Sequence, residues 1–173
     1  LEDVDQGVPN RAMIIDDNKD AAETMSLLIE QLGGSARTAN DAVSGLKAIR
    51  EFTPDIVFLD ISMPGIDGYE ACRRIRSEIA DRNVVIVAMT GWAQDQEKQR
   101  ALEGGFDAYL VKPVDPAAFE ELLAVVEDRR RGVQAGDGAV HDPGATRRIL
   151  VLRARLRAAG DEVRQSVAVE VAA

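Results

Sequence analysis

The chain has 173 residues, 46% of them hydrophobic and 29% charged, with a single cysteine and a formal net charge of -9. That length carries one domain with a real core plus an appendage, and no apolar run approaches the ~18 residues of a membrane span, so an association with membranes is not expected. The charge is uneven: residues 131–173 hold seven arginines against five acids, which leaves 14 basic and 25 acidic residues in 1–130. An acidic body repels a phosphate backbone and argues against nucleic-acid binding by the main domain.

Residues 1–10 read as an extension. The apolar run Ala12–Ile15 then predicts a first strand that ends in Asp16-Asp17. Lys19–Leu32 has helical spacing and stops at Gly33-Gly34. Ser35–Thr38 predicts a second strand, and Asp41–Phe52 a second helix ahead of Pro54. The third strand, Ile56–Leu59, is four apolar residues that run straight into Asp60 and then the Met63-Pro64-Gly65 turn. A carboxylate beyond so apolar a strand is costly unless a cation, a metal or a chemical use compensates it. Next come a helix over Tyr69–Ile79, a strand over Val84–Met89 leading to Thr90-Gly91, and a helix over Gln94–Glu103 closed by Gly104-Gly105. A fifth strand, Ala108–Val111, leads to Lys112-Pro113, and a fifth helix covers Asp115–Arg129. Strands alternating with helices predict an α/β fold, a parallel sheet with helices on both faces, because each parallel pair needs a right-handed crossover.

The main domain is expected over 11–131. After Arg131 the stretch GVQAGDGAVHDPGAT has linker composition over 132–146. In the tail, 147–173, Arg147–Ala159 could form a basic amphipathic helix with Ile149, Leu152 and Leu156 on one face, Val167–Val171 alternates like a strand, and a solvated extension is as good a reading as a functional arm. His141, the only histidine, lies in the linker-like stretch outside any helical pattern and reads as incidental. No export leader is visible, and the lone Cys72 reads as an ordinary helix residue in a reducing compartment, so the cytoplasm is the expected location.

All strands of a parallel sheet deliver their C-terminal ends to one edge, where ligands collect. Asp16, Asp17, Asp60, Thr90 and Lys112 therefore converge. Taken singly, Asp17 could cap a helix, Thr90 could be a strand-end hydroxyl and Lys112 a solvated cation. Two adjacent carboxylates beside a third call for a divalent ion, since crowded like charges destabilise a fold. Hard oxygen donors in small number suit Mg²⁺, and the absence of histidine and cysteine nearby disfavours zinc.

The set Asp16-Asp17, Asp60 within LDISMPGIDG, Thr90-Gly91 and Lys112-Pro113 resembles the receiver domain of bacterial two-component response regulators, over about residues 10–130. The resemblance implies a doubly wound, flavodoxin-like sheet of order 2-1-3-4-5 with five helices. It implies that Asp60 is the phosphoacceptor and that Asp17 and Asp60 ligate Mg²⁺ directly. The Ser62 carbonyl would be a third ligand, with Asp16 acting mainly through water. Lys112 would pair with Asp60 at rest and with a phosphoryl oxygen afterwards, while the Thr90 hydroxyl bonds another. A cis Lys112–Pro113 bond is implied as well. Pro64 and Gly65 fix the loop under the acid, Asp67-Gly68 opens the next helix, and Asp67 reads as a plain turn or cap residue. Tyr109 resembles a switch aromatic; the alternative is an edge-strand aromatic half covering the core. Trp92 and Ser62 occupy positions that vary among such proteins, which leaves the lifetime of the phosphorylated state open.

The partners implied are a histidine kinase or histidine phosphotransfer protein, then a downstream protein or a second copy meeting the fourth-helix, fifth-strand and fifth-helix face. Beyond self-catalysed phosphorylation and dephosphorylation no enzymatic activity is expected. A Mg²⁺-dependent phosphatase of the haloacid-dehalogenase type would also form an aspartyl phosphate, but it wants a second acid two residues on, where this chain has Ser62. A phosphorylation-blind scaffold is disfavoured because all the chemical residues are present. Neither a kinase catalytic segment nor a helix-turn-helix module is visible after Arg131, so a stand-alone receiver or one cut from a larger chain such as a hybrid sensor kinase is expected.

Overall fold

Every residue of the third strand, β3 (Ile56–Asp60), is buried. Its position explains this: a strand covered by helices on both faces reads as a continuous apolar run. The computed structural model describes residues 11–79, 84–91, 96, 100–101, 103–135, 148–155 and 164–171. Before β3 come β1 (Arg11–Ile15), α1 (Lys19–Gln31), β2 (Ser35–Ala39) and α2 (Ala42–Phe52). After it come α3 (Gly68–Glu78), β4 (Val85–Thr90), β5 (Ala108–Val111), α4 (Pro116–Ala135), β6 (Arg148–Arg155) and β7 (Arg164–Val171).

Strands β2, β1, β3, β4 and β5 lie side by side in that order, all parallel, which is the doubly wound order 2-1-3-4-5. Their bounds differ from the predicted ones by one residue at most. Two of those differences matter, because β3 takes in Asp60 and β4 takes in Thr90. Asp60 is in register with Met89, and Thr90 with Val111, so both polar side chains stand on the sheet's C-terminal rim.

Successive strand residues alternate between two apolar layers. Met13, Val57 and Leu59 pack with α2 and α3 on one face, whereas Ile14, Ile56 and Phe58 pack with α1 and α4 on the other. Side-chain caps start the helices: the Asn18 oxygen accepts from Ala21 N at 3.1 Å, Asp41 from Ser44 N at 2.8 Å and Asp67 from Glu70 N at 2.9 Å. Each cap satisfies an N–H that has no partner inside its own helix. At the other end of α1, Gly33 takes a φ of 91° and Gly34 N–H returns to the Ile29 carbonyl at 3.0 Å.

Of the fourth predicted helix, Gln96, Arg100, Ala101 and Glu103 are described and helical. The remainder lies outside the described residues, as do Trp92 and His141. Helix α4 runs from Pro116 to Ala135, through Gly132 and beyond the Arg129 at which the pattern ends. The helical reading of Arg147–Ala159 is corrected, since Arg148–Arg155 is strand β6, paired antiparallel with β7 from Arg148↔Val171 to Arg155↔Arg164. Pairing with β7 satisfies the backbone groups of β6 that face it along the strand's whole length, a stabilisation that local spacing of Ile149, Leu152 and Leu156 cannot report. The alternating Val167–Val171 falls within β7, which adds antiparallel to β5 through Ala108↔Val169. No helix among the described residues is long and apolar enough to cross a membrane.

Candidate functional site

The rim formed by the ends of β1, β3, β4 and β5 carries the polar side chains. Asp16, directly after β1, is fully buried and held from four sides. Its N–H donates to the Ala39 carbonyl at 3.0 Å, and its own carbonyl accepts from the Asn40 amide at 3.2 Å. Its carboxylate accepts from Asn18 N–H at 2.9 Å on Oδ1 and from Lys112 Nζ at 2.8 Å on Oδ2. Asp17, the next residue, is exposed. Asp60 closes β3 with 3% of its surface exposed, and its Oδ1 accepts from Ser62 N–H at 3.0 Å. One carboxylate oxygen from each of Asp16, Asp17 and Asp60 lies within 4.8 Å of the others.

This donor set consists of carboxylate oxygens alone, close enough to share one ion. It fits a hard divalent cation such as Mg²⁺. Asp17 has the accessible carboxylate, and both oxygens of Asp16 are already engaged by Asn18 and Lys112.

Lys112, at the end of β5, reaches across the sheet to both buried acids, 2.8 Å from Asp16 Oδ2 and 3.3 Å from Asp60 Oδ2. The lysine therefore sits between the two acids and nearer to Asp16, whereas the resemblance pairs it with Asp60. Burial works against its charge, but the hydrogen bond it donates to Asp16 and the charges of Asp60 and Asp16 outweigh it and raise its pKa. Burial likewise pushes the Asp60 pKa up. The Ser62 N–H and the Lys112 charge oppose that shift, while Asp16 and Asp17 reinforce it. Asp60 is thus a carboxylate whose charge is costly in place, the situation its sequence context announces.

The peptide bond between Lys112 and Pro113 is cis. Lys112 N–H donates to the Thr90 carbonyl at 2.7 Å, which ties the lysine's backbone to the end of β4, and Thr90 itself is buried. Tyr109, with 2% of its surface exposed, is packed in the same apolar layer as Tyr69 and Phe106. The reading of Tyr109 as half covering an edge is therefore corrected: β5 is flanked by β4 and β7, and the ring is inside.

Below Asp60, Gly65 takes a φ of 82° in the turn after Pro64. Gly68 meets the acid's own backbone, and a Cβ there would fall 2.6 Å from the Asp60 carbonyl oxygen. Only glycine lets α3 start so close. Sequence reasoning missed Asn18 and Asn40, which fix Asp16 from its two sides. Asn18 carried a signal as an amide residue directly before a helical run, and Asn40 carried none beyond the turn in which it stands. A cavity of about 490 Å³ opens beside the Asp16–Lys112 pair, floored by Met25, Leu28, Met89 and Val114.

The model of the response regulator receiver domain matches residues 12–126. The chain is 35% identical over 121 residues to the DNA-binding response regulator MtrA of Mycolicibacterium paratuberculosis, covering 70% of this chain and 51% of that protein. It is 36% identical over 123 residues to the sensor histidine kinase RcsC of Salmonella typhi, covering 71% of this chain and 13% of that protein. It thus spans about half the length of the first relative and a small part of the second. Among solved structures, a putative response regulator from Chloroflexus aurantiacus superimposes with a TM-score of 0.64 at 29% identity, covering 70% of this chain and 99% of that one. With nearly the whole parallel sheet and its acidic rim inside the matched stretch, this chain belongs to the response regulator receiver domain family.

Proposed function

We propose that Asp60 accepts a phosphoryl group and that the resulting aspartyl phosphate switches a protein-binding face. One observation carries the proposal: a carboxylate 3% exposed, at a strand end, with a lysine 3.3 Å away and Asp17 within sharing distance of the same cation. An Asp60 carboxylate oxygen attacks phosphorus, a new P–O bond forms, and the bond to the donor's leaving group breaks with its electron pair leaving on that group. Asp17 and Asp60, with the Ser62 carbonyl as a further candidate, would hold a Mg²⁺ ion, which would supply positive charge to the phosphoryl oxygens.

The protein's own residues do the rest. Lys112 is placed to move from the two acids to a phosphoryl oxygen, a charge-assisted contact. Thr90 offers its hydroxyl to another oxygen at the same rim, and Tyr109, two residues into β5, is the candidate to follow it. Asp16, saturated by Asn18 and Lys112, suits a role through water and in setting the lysine's position. Ser62 in place of a second acid supports a phosphoacceptor over a dehalogenase-type phosphatase. The reaction is a modification of the protein itself, with no other enzymatic activity.

The donor in this reading is a histidine kinase or a phosphotransfer protein in the cytoplasm. The receiver presents its change on the segment around Arg100, β5 and α4, to a downstream protein or a second copy, and the acidic domain itself does not bind nucleic acid. One relative is a DNA-binding response regulator and another a sensor histidine kinase, so either kind of parent chain fits. Intact-mass analysis with acetyl phosphate tests the proposal. One phosphoryl addition is expected, lost in Asp60→Ala and lost on chelation of Mg²⁺; equal labelling of that variant would overturn it.

A further inference from the structure

A ring contact links the loop under Asp60 to the segment before β5. Gly68 is pressed on the Asp60 backbone, with 2.6 Å between a Cβ at that position and either the Asp60 carbonyl oxygen or Ile61 Cα. Its N–H donates to the Ile61 carbonyl at 3.1 Å, and Ile61 N–H in turn donates to the Met89 carbonyl at 3.0 Å. The start of α3 therefore cannot stay still if Asp60 and Ile61 shift. The next residue, Tyr69, is 9% exposed and stands edge-on to Phe106, with ring centroids 5.9 Å apart at 82°. The guanidinium carbon of Arg100 lies 4.7 Å from the Tyr69 ring centroid. Gly104 completes the seat, since a Cβ there would fall 2.9 Å from Tyr69 Cδ1.

We infer that Tyr69 is a positioning residue, a second mechanical link that carries the state of Asp60 to the Arg100–Phe106 segment independently of Thr90 and Tyr109. The inference rests on the phosphoacceptor reading above and deepens its regulation. Three features make the link stiff. The seat of Gly68 leaves little slack, because the backbone of Asp60 and Ile61 lies too close to admit even a Cβ and close-packed neighbours shift together. The ring is held from two sides, by an edge-to-face aromatic contact and by a cation over its face, each of which has a preferred geometry. Phe106 is followed directly by Asp107 and β5, whose N–H at Asp107 donates to the Ile86 carbonyl at 2.8 Å, so the receiving segment is anchored to β4. A shift at the start of α3 thus reaches the region around Arg100 through the Tyr69 ring, beside the contact that Arg76 farther along α3 makes with the Gly105 carbonyl at 3.0 Å, while a shift of Thr90 reaches it through β4 and β5.

The experiment uses the full chain in three variants: Tyr69→Phe, which keeps the ring, Tyr69→Leu, which removes it, and Arg100→Gln, which removes only the cation from an exposed position. Amide spectra are recorded with Mg²⁺, with and without beryllofluoride as the phosphoryl mimic, beside intact-mass labelling by acetyl phosphate. The expected result is wild-type labelling throughout, wild-type shifts at residues 100–106 in Tyr69→Phe, and loss of those shifts in Tyr69→Leu with the shifts at Thr90 and Lys112 retained. Arg100→Gln should show the same selective loss in reduced degree, and it keeps the test valid if Tyr69→Leu fails to fold. Wild-type shifts at 100–106 in Arg100→Gln, or in a folded Tyr69→Leu, would overturn the link. Absence of labelling in the unmodified chain would instead overturn the phosphoacceptor reading on which the link depends.

Discussion

Lys112 lies closer to Asp16 than to Asp60, with its ammonium 2.8 Å from an oxygen of the first and 3.3 Å from an oxygen of the second. One lysine offsets two buried acids contributed by different strands. The distance to each acid is set by the other, so removing any of the three groups changes the electrostatic cost of the remaining two.

Lys112→Ala should destabilise the protein at neutral pH by on the order of 2 kcal/mol, below the range for a fully buried pair because the lysine keeps part of its surface in water. The folded-state pKa of Lys112 is raised. Its contribution is therefore fully present below the lysine's unfolded pKa and is lost as pH rises through the higher folded value. In acid the variant's deficit should shrink as Asp60, whose pKa is raised by burial, protonates. Urea unfolding across pH checks this, and a variant as stable as the parent at pH 7 would show that the pair contributes nothing.

Asp60→Asn should raise stability at neutral pH without divalent ions. The Asp60 pKa is raised in the folded state, mainly by burial. The protonated form is thus favoured by folding, and stability present below the unfolded carboxylate pKa is lost as pH climbs through the folded one. An uncharged isostere avoids that loss, while Lys112 keeps its closer partner, Asp16. Thermal unfolding in chelator should give a higher Tm for the variant at pH 7 and a smaller difference at acid pH. A lower Tm at pH 7 would contradict the sign.

Mg²⁺ should stabilise the native chain by about 2.7 kcal/mol at a concentration one hundred times its Kd, following mass action on a ligand that binds the folded state alone. Asp17→Asn should abolish that gain with little effect on the metal-free protein, because Asp17 is exposed and Asp16 and Lys112 remain paired. Melting curves with and without Mg²⁺ read both quantities. An undiminished Mg²⁺ shift in the variant would remove Asp17 from the metal site.

Gly68→Ala should cost about 1–3 kcal/mol, the usual range for a forced insertion into a packed position. The clash is with backbone, 2.6 Å from the Asp60 carbonyl oxygen, and no side-chain rotation relieves it. Denaturant unfolding measures the loss, and an unchanged midpoint would mean that the loop moves freely under Asp60.

Much of this was legible in the chain because the signals are local. The run Ile56–Leu59 into Asp60 marks a doubly covered strand that ends in an acid, and the strand-end rule gathers Asp16, Asp17, Thr90 and Lys112 without knowledge of any contact. What was not legible depends on long-range geometry. The nearer partner of Lys112 is decided by the relative placement of β1 and β5, which are separated in the sheet by β3 and β4. The burial of Tyr109 reflects what lies on either side of β5. For Arg148–Arg155, apolar residues fit both helical and alternating spacing, and the pairing with β7 decides between them.

The central claim, that Asp60 is the phosphoacceptor, is tested most directly by chemical trapping of the bond itself. Borohydride reduces an aspartyl acyl phosphate to homoserine, which marks the modified residue permanently for peptide mapping. After incubation with acetyl phosphate and Mg²⁺, the peptide containing Ile56–Met63 should carry homoserine at position 60 and nowhere else. Homoserine at position 16 or 17, or its absence from a chain that has gained a phosphoryl group, would contradict the account.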